Sequence, residues 1–297
     1  MKKIKLFSLA LLLLFAFSAC VDQSGKGQVK QTQTGEKIEN PRIIASSIST
    51  AEILDKLNVD LVGVPNSDVS ELPERYRDLP SIGMAMTPDI EIIKTLNPDY
   101  VFGPVSLIPD LLPKYEAAKI NYGFLNLNNI PGMYKSIGDL GALLGKEKEA
   151  KALIDDYEAY IQDYRKSIEG KEKKRVLILM GLPGSYVVAT EHSYAGSLVA
   201  LAGAENVYAG TKEQFLTINT EDMLSKNPDL ILRTAHAMPD EVKDMFKKEF
   251  ETDDIWKHFD CVKKGEVYDL DHAKFGMSAN FRYKEALEQL KDILYNN

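Results

Sequence analysis

The sequence predicts an α/β protein of two lobes joined by a single long helix, and three observations carry that expectation. From Pro41 onward short β-rich runs alternate with helical segments, the pattern of βα units and a largely parallel sheet. From Lys146 to Ile168, Ala150, Leu153, Tyr157, Tyr160, Ile161, Tyr164 and Ile168 form one apolar stripe at three- and four-residue spacings, uninterrupted by Gly or Pro. A helix there is about 35 Å long at about 1.5 Å per residue, enough to run along a junction between lobes. Finally, Asp89–Tyr100 (DIEIIKTLNPDY) and Asn219–Leu230 (NTEDMLSKNPDL) echo one another: a short helix, then Asn-Pro-Asp, then a strand. Pro after a helix forbids its continuation, so part of the echo is ordinary punctuation. Set on either side of the long helix, it favours two halves of similar topology, with a ligand cleft between them.

At 297 residues and 44% hydrophobic, the chain can bury two cores of ordinary size. Its start sets the compartment. Lys2, Lys3 and Lys5 precede an apolar run, Leu6 to Ala19, which is too short for a stable bilayer span and reads as a signal peptide ending Phe17-Ser18-Ala19-Cys20. Small residues before a cysteine resemble a lipobox, with Phe where Leu is usual, so Cys20 is expected to become an acylated N-terminus. Loss of residues 1–19 removes three lysines and takes the formal charge from -8 to -11, which argues against nucleic acid as a partner. With Cys20 acylated, Cys261 has no disulfide partner, and the exported fold must rely on its core.

Residues 20–40 are rich in Gln, Lys, Gly, Thr and Ser and form the lipidated start and a flexible tether. The first lobe, residues 41–145, begins with strand Arg42–Ala45, a helix capped by Ser49 or Thr50 that runs to Leu57, and strand Leu61–Val64, which Pro65 stops. Strands at 100–102 and 122–125 and helices near 89–96, 108–118 and 131–144 complete it. The connecting helix takes 146–170. The second lobe, 171–297, holds strand Val176–Met180, a Gly-Leu-Pro-Gly turn, strand Tyr186–Val188, helices at 194–203 and 220–225, strand 229–233, a helix from Pro239 to about Glu249, strand Glu266–Leu270 and a helix from Tyr283.

The strong catalytic and structural-metal motifs are absent: the sequence has no phosphate loop, Gly-x-Ser-x-Gly elbow, His-Glu-x-x-His or Cys-x-x-Cys, and Gly181–Gly184 is too short for a dinucleotide fingerprint. Attention falls on the histidines. His258, beside Trp256, reads as packed; His192 lies in a helix-start region; His272 follows Asp271 at a strand end. His236 leaves a strand, flanked by the small residues Ala235 and Ala237 that would let a flat ligand approach. The first half contains no histidine, which counts against a transition-metal receptor with three or four converging ligands. It does contain Gly83-Met84-Ala85-Met86-Thr87-Pro88, read as a loop with Thr87 capping the next helix and Pro88 at its first position. A thioether is a good axial ligand for haem iron, and His with Met is a known pair; Met86 is the better candidate and Met84 the fallback.

Three stretches then carry a family resemblance: Val176–Tyr194 (VLILMGLPGSYVVATEHSY), Ile231–Asp240 (ILRTAHAMPD) and Asp254–Asp260 (DIWKHFD). The chain from Pro41 onward resembles the haem-binding lipoproteins of the iron-regulated surface determinant system of Gram-positive bacteria, the substrate-binding component of an ABC importer. The resemblance implies a periplasmic-binding-protein-like fold of class III type and no enzyme. It implies haem b carried as a transported ligand, with Met86 and His236 as axial ligands, and a lipid anchor on the outer face of the cell membrane. An ABC permease and surface haem donors are the implied partners, and the protein is expected to be a monomer. Glu91 and Glu221, equivalent in the two echoed helices, are implied as permease-docking carboxylates, although first-turn glutamates also suit a helix dipole. Ser47, Ser49 and Thr50, at a helix N-terminus, are the candidates for holding haem propionates. The alternative within the same fold is a siderophore or cobalamin receptor.

Overall fold

In the computed structural model the described residues are 40–67 and 70–296, so the signal peptide and Cys20 lie outside them. The first half runs β1 (Ile43–Ala45), α1 (Ile48–Lys56), β2 (Val64–Asn66), β3 (Ser81–Met84), β4 (Thr87–Pro88), α2 (Ile90–Thr95), β5 (Tyr100–Pro104), α3 (Ile108–Ala118), β6 (Tyr122–Leu125) and α4 (Ile130–Leu144). Helix α5 (Glu147–Ser167) follows. The second half runs β7 (Arg175–Leu182), β8 (Ser185–Ala189), α6 (Tyr194–Leu201), β9 (Glu205–Asn206), β10 (Phe215–Leu216), α7 (Thr220–Ser225), β11 (Leu230–Ala235), α8 (Pro239–Thr252), α9 (Asp260–Lys263), β12 (Val267–Asp269), α10 (His272–Phe275) and α11 (Tyr283–Tyr295).

Strands β1, β5 and β6 are buried along their whole lengths and pair in parallel in the order β1-β5-β6, which is why they read as short continuous apolar runs rather than alternating ones. A parallel bridge from Ile44 to Gly63 joins β1 to β2, and β2 pairs in parallel with β3. All five strands therefore run one way and present their carboxyl ends at one edge. The second sheet has the order β10-β8-β7-β11-β12, with β7, β11 and β12 parallel, β8 antiparallel to β7, and β9 paired to the start of β7.

The two carboxyl edges are tied together. The Ala279 amide, in the loop between α10 and α11, donates to the Leu127 carbonyl just past β6 at 2.7 Å. Beside this lies a tyrosine seam. Tyr134 of α4 stacks on Tyr157 of α5 with centroids 4.2 Å apart, Tyr283 of α11 meets both edge-on, and the Tyr134 and Tyr283 hydroxyls bond at 3.2 Å. Tyr160 and Tyr164 of α5 donate to the Lys284 and Leu287 carbonyls of α11. The apolar stripe seen in the sequence thus faces both halves. No helix among the described residues is long and apolar enough to cross a membrane.

Several boundaries differ from expectation for local reasons. The α1 cap is Ser47, not Ser49 or Thr50: its hydroxyl accepts the Thr50 amide at 3.2 Å. Pro65 does not stop β2. The register against β3 shifts between Val64 and Asn66, and that irregularity absorbs the missing N–H donor. The turn after β7 is Pro183-Gly184 alone, Gly181 and Leu182 being strand. His258 is exposed, while the neighbouring Trp256 and Phe259 fill the core.

Candidate functional site

In the second half the site is built by β11. Five of its six residues are buried, between β7 on one side and β12 on the other. Ala235 pairs with Gly181, and the His236 amide closes the ladder by donating to the Gly181 carbonyl at 2.9 Å. Helix α8 then turns back over the sheet. Val242 and Phe246 press against the bare Gly181, where a Cβ would collide with both, so this glycine sets how closely the helix behind His236 seats.

The His236 ring is half-buried. Its Nδ1 is sealed from solvent with no hydrogen-bond partner among the described residues. Burial lowers the imidazole pKa. The ring is therefore neutral at pH 7, the form that offers a lone pair to a metal. Two residues on, Met238 holds a left-handed backbone (φ 49°) and exposes 45% of its surface.

In the first half the stretch after β3 is not a pre-helix loop. Met84 pairs with Thr87 and Gly83 (φ 89°) with Pro88, so Ala85-Met86 is the two-residue turn of a β3–β4 hairpin. Asp89, not Thr87, caps α2, its carboxylate accepting the Glu91 and Ile92 amides, and the helix starts at Ile90 rather than Pro88. Met84 is 48% and Met86 57% exposed. Among the described residues the exposed large hydrophobics are Met84, Met86, Ile92 and Met238, so three of the four are methionines at the two carboxyl edges. Soft apolar side chains held in water at both rims suit a large, flat, apolar ligand with a soft acceptor atom.

At the same edge of the first sheet, Ser47 caps α1. Its hydroxyl bonds Thr50 Oγ1 at 2.8 Å, and Thr50 is fully buried, so Thr50 is consumed in the cap; the Ile48 and Ser49 amides have no partner among the described residues. Glu91 and Glu221 lie exposed in the first turns of α2 and α7, Glu91 pairing with Lys94 at 2.9 Å. The other histidines have duties elsewhere: His192 Nε2 meets the Thr211 carbonyl at 2.7 Å, and His272 opens α10, half-buried rather than freely exposed. No cluster of three His, Cys, Asp or Glu suited to a bare metal ion occurs among the described residues. A cavity of about 510 Å³ beside β11 is lined by Arg233, Asp269, Lys243 and Lys274 but by neither His236 nor a methionine. Sequence reasoning missed Met238 and the hairpin. The Gly at position 83, before two methionines and a Thr-Pro, was the available signal for the latter.

The chain matches the family described as periplasmic binding protein over residues 43–273. It is 40% identical over 298 aligned residues to the high-affinity heme uptake system protein IsdE of Staphylococcus aureus (strain bovine RF122), spanning 100% of this chain and 99% of that protein. Its structure is similar to an ABC transporter substrate-binding protein from Listeria monocytogenes (TM-score 0.83, 46% identity, 87% of this chain and 100% of that one). It is also similar to S. aureus IsdE complexed with heme (TM-score 0.81, 42% identity, 86% and 99%). The vitamin B12 binding protein BtuF of Vibrio cholerae shares the fold at 19% identity and TM-score 0.70.

Proposed function

The chain belongs to the periplasmic binding protein family, and we infer that it is the haem-binding, substrate-delivering component of an ABC importer for iron acquisition. It is similar over its full length to haem-uptake proteins, whereas the cobalamin receptor is a distant relative of the fold alone. It is a transport component, and haem is its cargo.

The observation that carries the ligand assignment is the pairing of two chemistries at the carboxyl edges of the two sheets: solvent-facing thioethers on the β3–β4 hairpin and a half-buried imidazole just beyond β11. Met86 at the hairpin turn and His236 are the axial ligands, with Met84 one pleat back as the fallback. Soft sulfur and imidazole together fit haem iron better than a bare divalent ion. Ser47, Ser49 and the α1 N-terminus receive the propionates, chiefly through the Ile48 and Ser49 amides, because Thr50 is spent in the cap. Lobes at 41–145 and 171–297 flank the connecting helix at 146–170. Glu91 and Glu221, exposed on matching helices, dock the permease. The protein works on the extracytoplasmic face of the membrane, after cleavage at residue 19 and acylation of Cys20, as a monomer that takes haem from surface donors.

Titration of purified protein with haemin tests the reading. It predicts a sharp Soret band that saturates at one equivalent and is absent from His236→Ala. Wild-type haem content and an unchanged band in His236→Ala would sink the axial assignment.

A further inference from the structure

β11 has a strand partner on each side for most of its length, but not at its last residues. On the β7 side the ladder continues to His236. On the other side β12 ends at Asp269, opposite Arg233, and its last backbone bond runs from the Leu270 amide to the Arg233 carbonyl. Beyond that point a side chain takes over: Thr234, 3% exposed, donates its hydroxyl to the Phe275 carbonyl at 3.1 Å. Phe275 is the last residue of α10, so this carbonyl is one the helix itself leaves unbonded.

The loop that begins there is braced. Asn280 donates its side-chain amide to the Ala273 and Ser278 carbonyls and accepts the Arg282 amide. The same loop reaches across to the first half through the bond from the Ala279 amide to the Leu127 carbonyl. One continuous strap therefore runs from the residue two before His236 to the half of the protein that carries the methionines.

Resting on the reading of His236 and Met86 as axial ligands, we propose that Thr234 is a positioning residue for haem. Through Phe275 and the 275–282 loop it fixes how far the His236 end of β11 stands from the first half, and so the span that the two iron ligands must bridge. An axial bond is sensitive to such a span, because ligand and iron must meet within a few tenths of an ångström. The Thr234 hydroxyl makes the bond at this point because the strand on that side has already ended.

The test uses the haem-loaded protein. Thr234→Val keeps the shape and deletes the donor; Thr234→Ser keeps the donor. Thr234→Val is expected to shift the ferric spectrum from six-coordinate low-spin toward a mixture with high-spin, and to speed haem loss to apomyoglobin by about ten- to a hundredfold. Thr234→Ser should restore both. Tyr164→Phe, which removes a buried bond of similar length to Leu287, should lower the melting temperature and leave the spectrum alone. A wild-type spectrum and loss rate in Thr234→Val overturn the proposal, as does a Tyr164→Phe spectrum shifted equally far. If Thr234→Val does not fold, Asn280→Ala carries the same test, with the same shift expected and an unchanged spectrum overturning it. The two readings fail separately: an unaltered band in His236→Ala overturns the axial assignment, whereas an altered band there with none in Thr234→Val overturns only the positioning.

Discussion

Arg175 and Asp229 exchange two hydrogen bonds, the Arg175 amide to the Asp229 carboxylate at 2.7 Å and the Asp229 amide back to the Arg175 carbonyl at 2.8 Å. In the first half Arg42 and Asp99 form the same ring, at 2.7 Å in both directions. In each half the arginine side chain then reaches the carbonyl of the left-handed Asn before the Pro, Asn97 or Asn227, both at φ 46°. The Asn-Pro-Asp echo is therefore a clasp that pins the start of β1 or β7 to the strand beside it.

Because both clasps lie near the surface, Asp99→Ala and Asp229→Ala should each lower stability by about 1 kcal/mol, and the double variant by their sum. Urea unfolding monitored by fluorescence measures this. Non-additive losses would mean that the halves do not carry independent clasps.

The hairpin separates the two methionines. Met86 occupies the turn and Met84 the strand, so only one is expected to reach iron. Met86→Leu should abolish the thioether-to-iron charge-transfer absorption of the ferric complex, and Met84→Leu should retain it. The reverse result would move the ligand one pleat back.

His236 gives the haem-free protein a signed pH response. Burial holds its native pKa below the unfolded value of about 6.5, so the unfolded chain takes up a proton that the native state resists. Its contribution is unchanged above about pH 7, turns destabilising as pH falls through about 6.5, and levels off below the depressed native value. His236→Gln should remove that part of the slope. Melting curves of both proteins between about pH 8 and pH 5 check it, and parallel curves would show that the ring titrates as it does in the unfolded chain.

How much of this was legible in the sequence depended on the physics involved. Strands β5 and β6, helices α3, α7 and α11 and the long α5 were readable because continuous burial or a 3.6-residue stripe writes itself into composition. His236 was readable because it breaks an apolar run. The hairpin around Met86 was not, since its ladder of two residue pairs is too short to show alternation and its turn is licensed by the fold rather than by an Asn-Gly pair. Capping by Ser47 was hidden by a run of four hydroxyl-bearing residues within five positions, any of which is a chemically acceptable cap. Thr234 gave no sign at all. A buried threonine inside a strand looks like β-propensity until its partner forty-one residues away is known.

The tyrosine seam also dictates when the molecule can finish folding. Tyr134 and Tyr283 are 149 positions apart, and Tyr157, Tyr160 and Tyr164 wait on the same final helix. Contacts of such separation form late, after the loop-closure entropy has been met by more local structure. A chain that emerges amino-end first would hold the aromatic face of α4 and α5 open to water until α11 arrives. Its exposure to proteases and to self-association is then greatest in that interval, and truncation within the last helix would prolong it without limit.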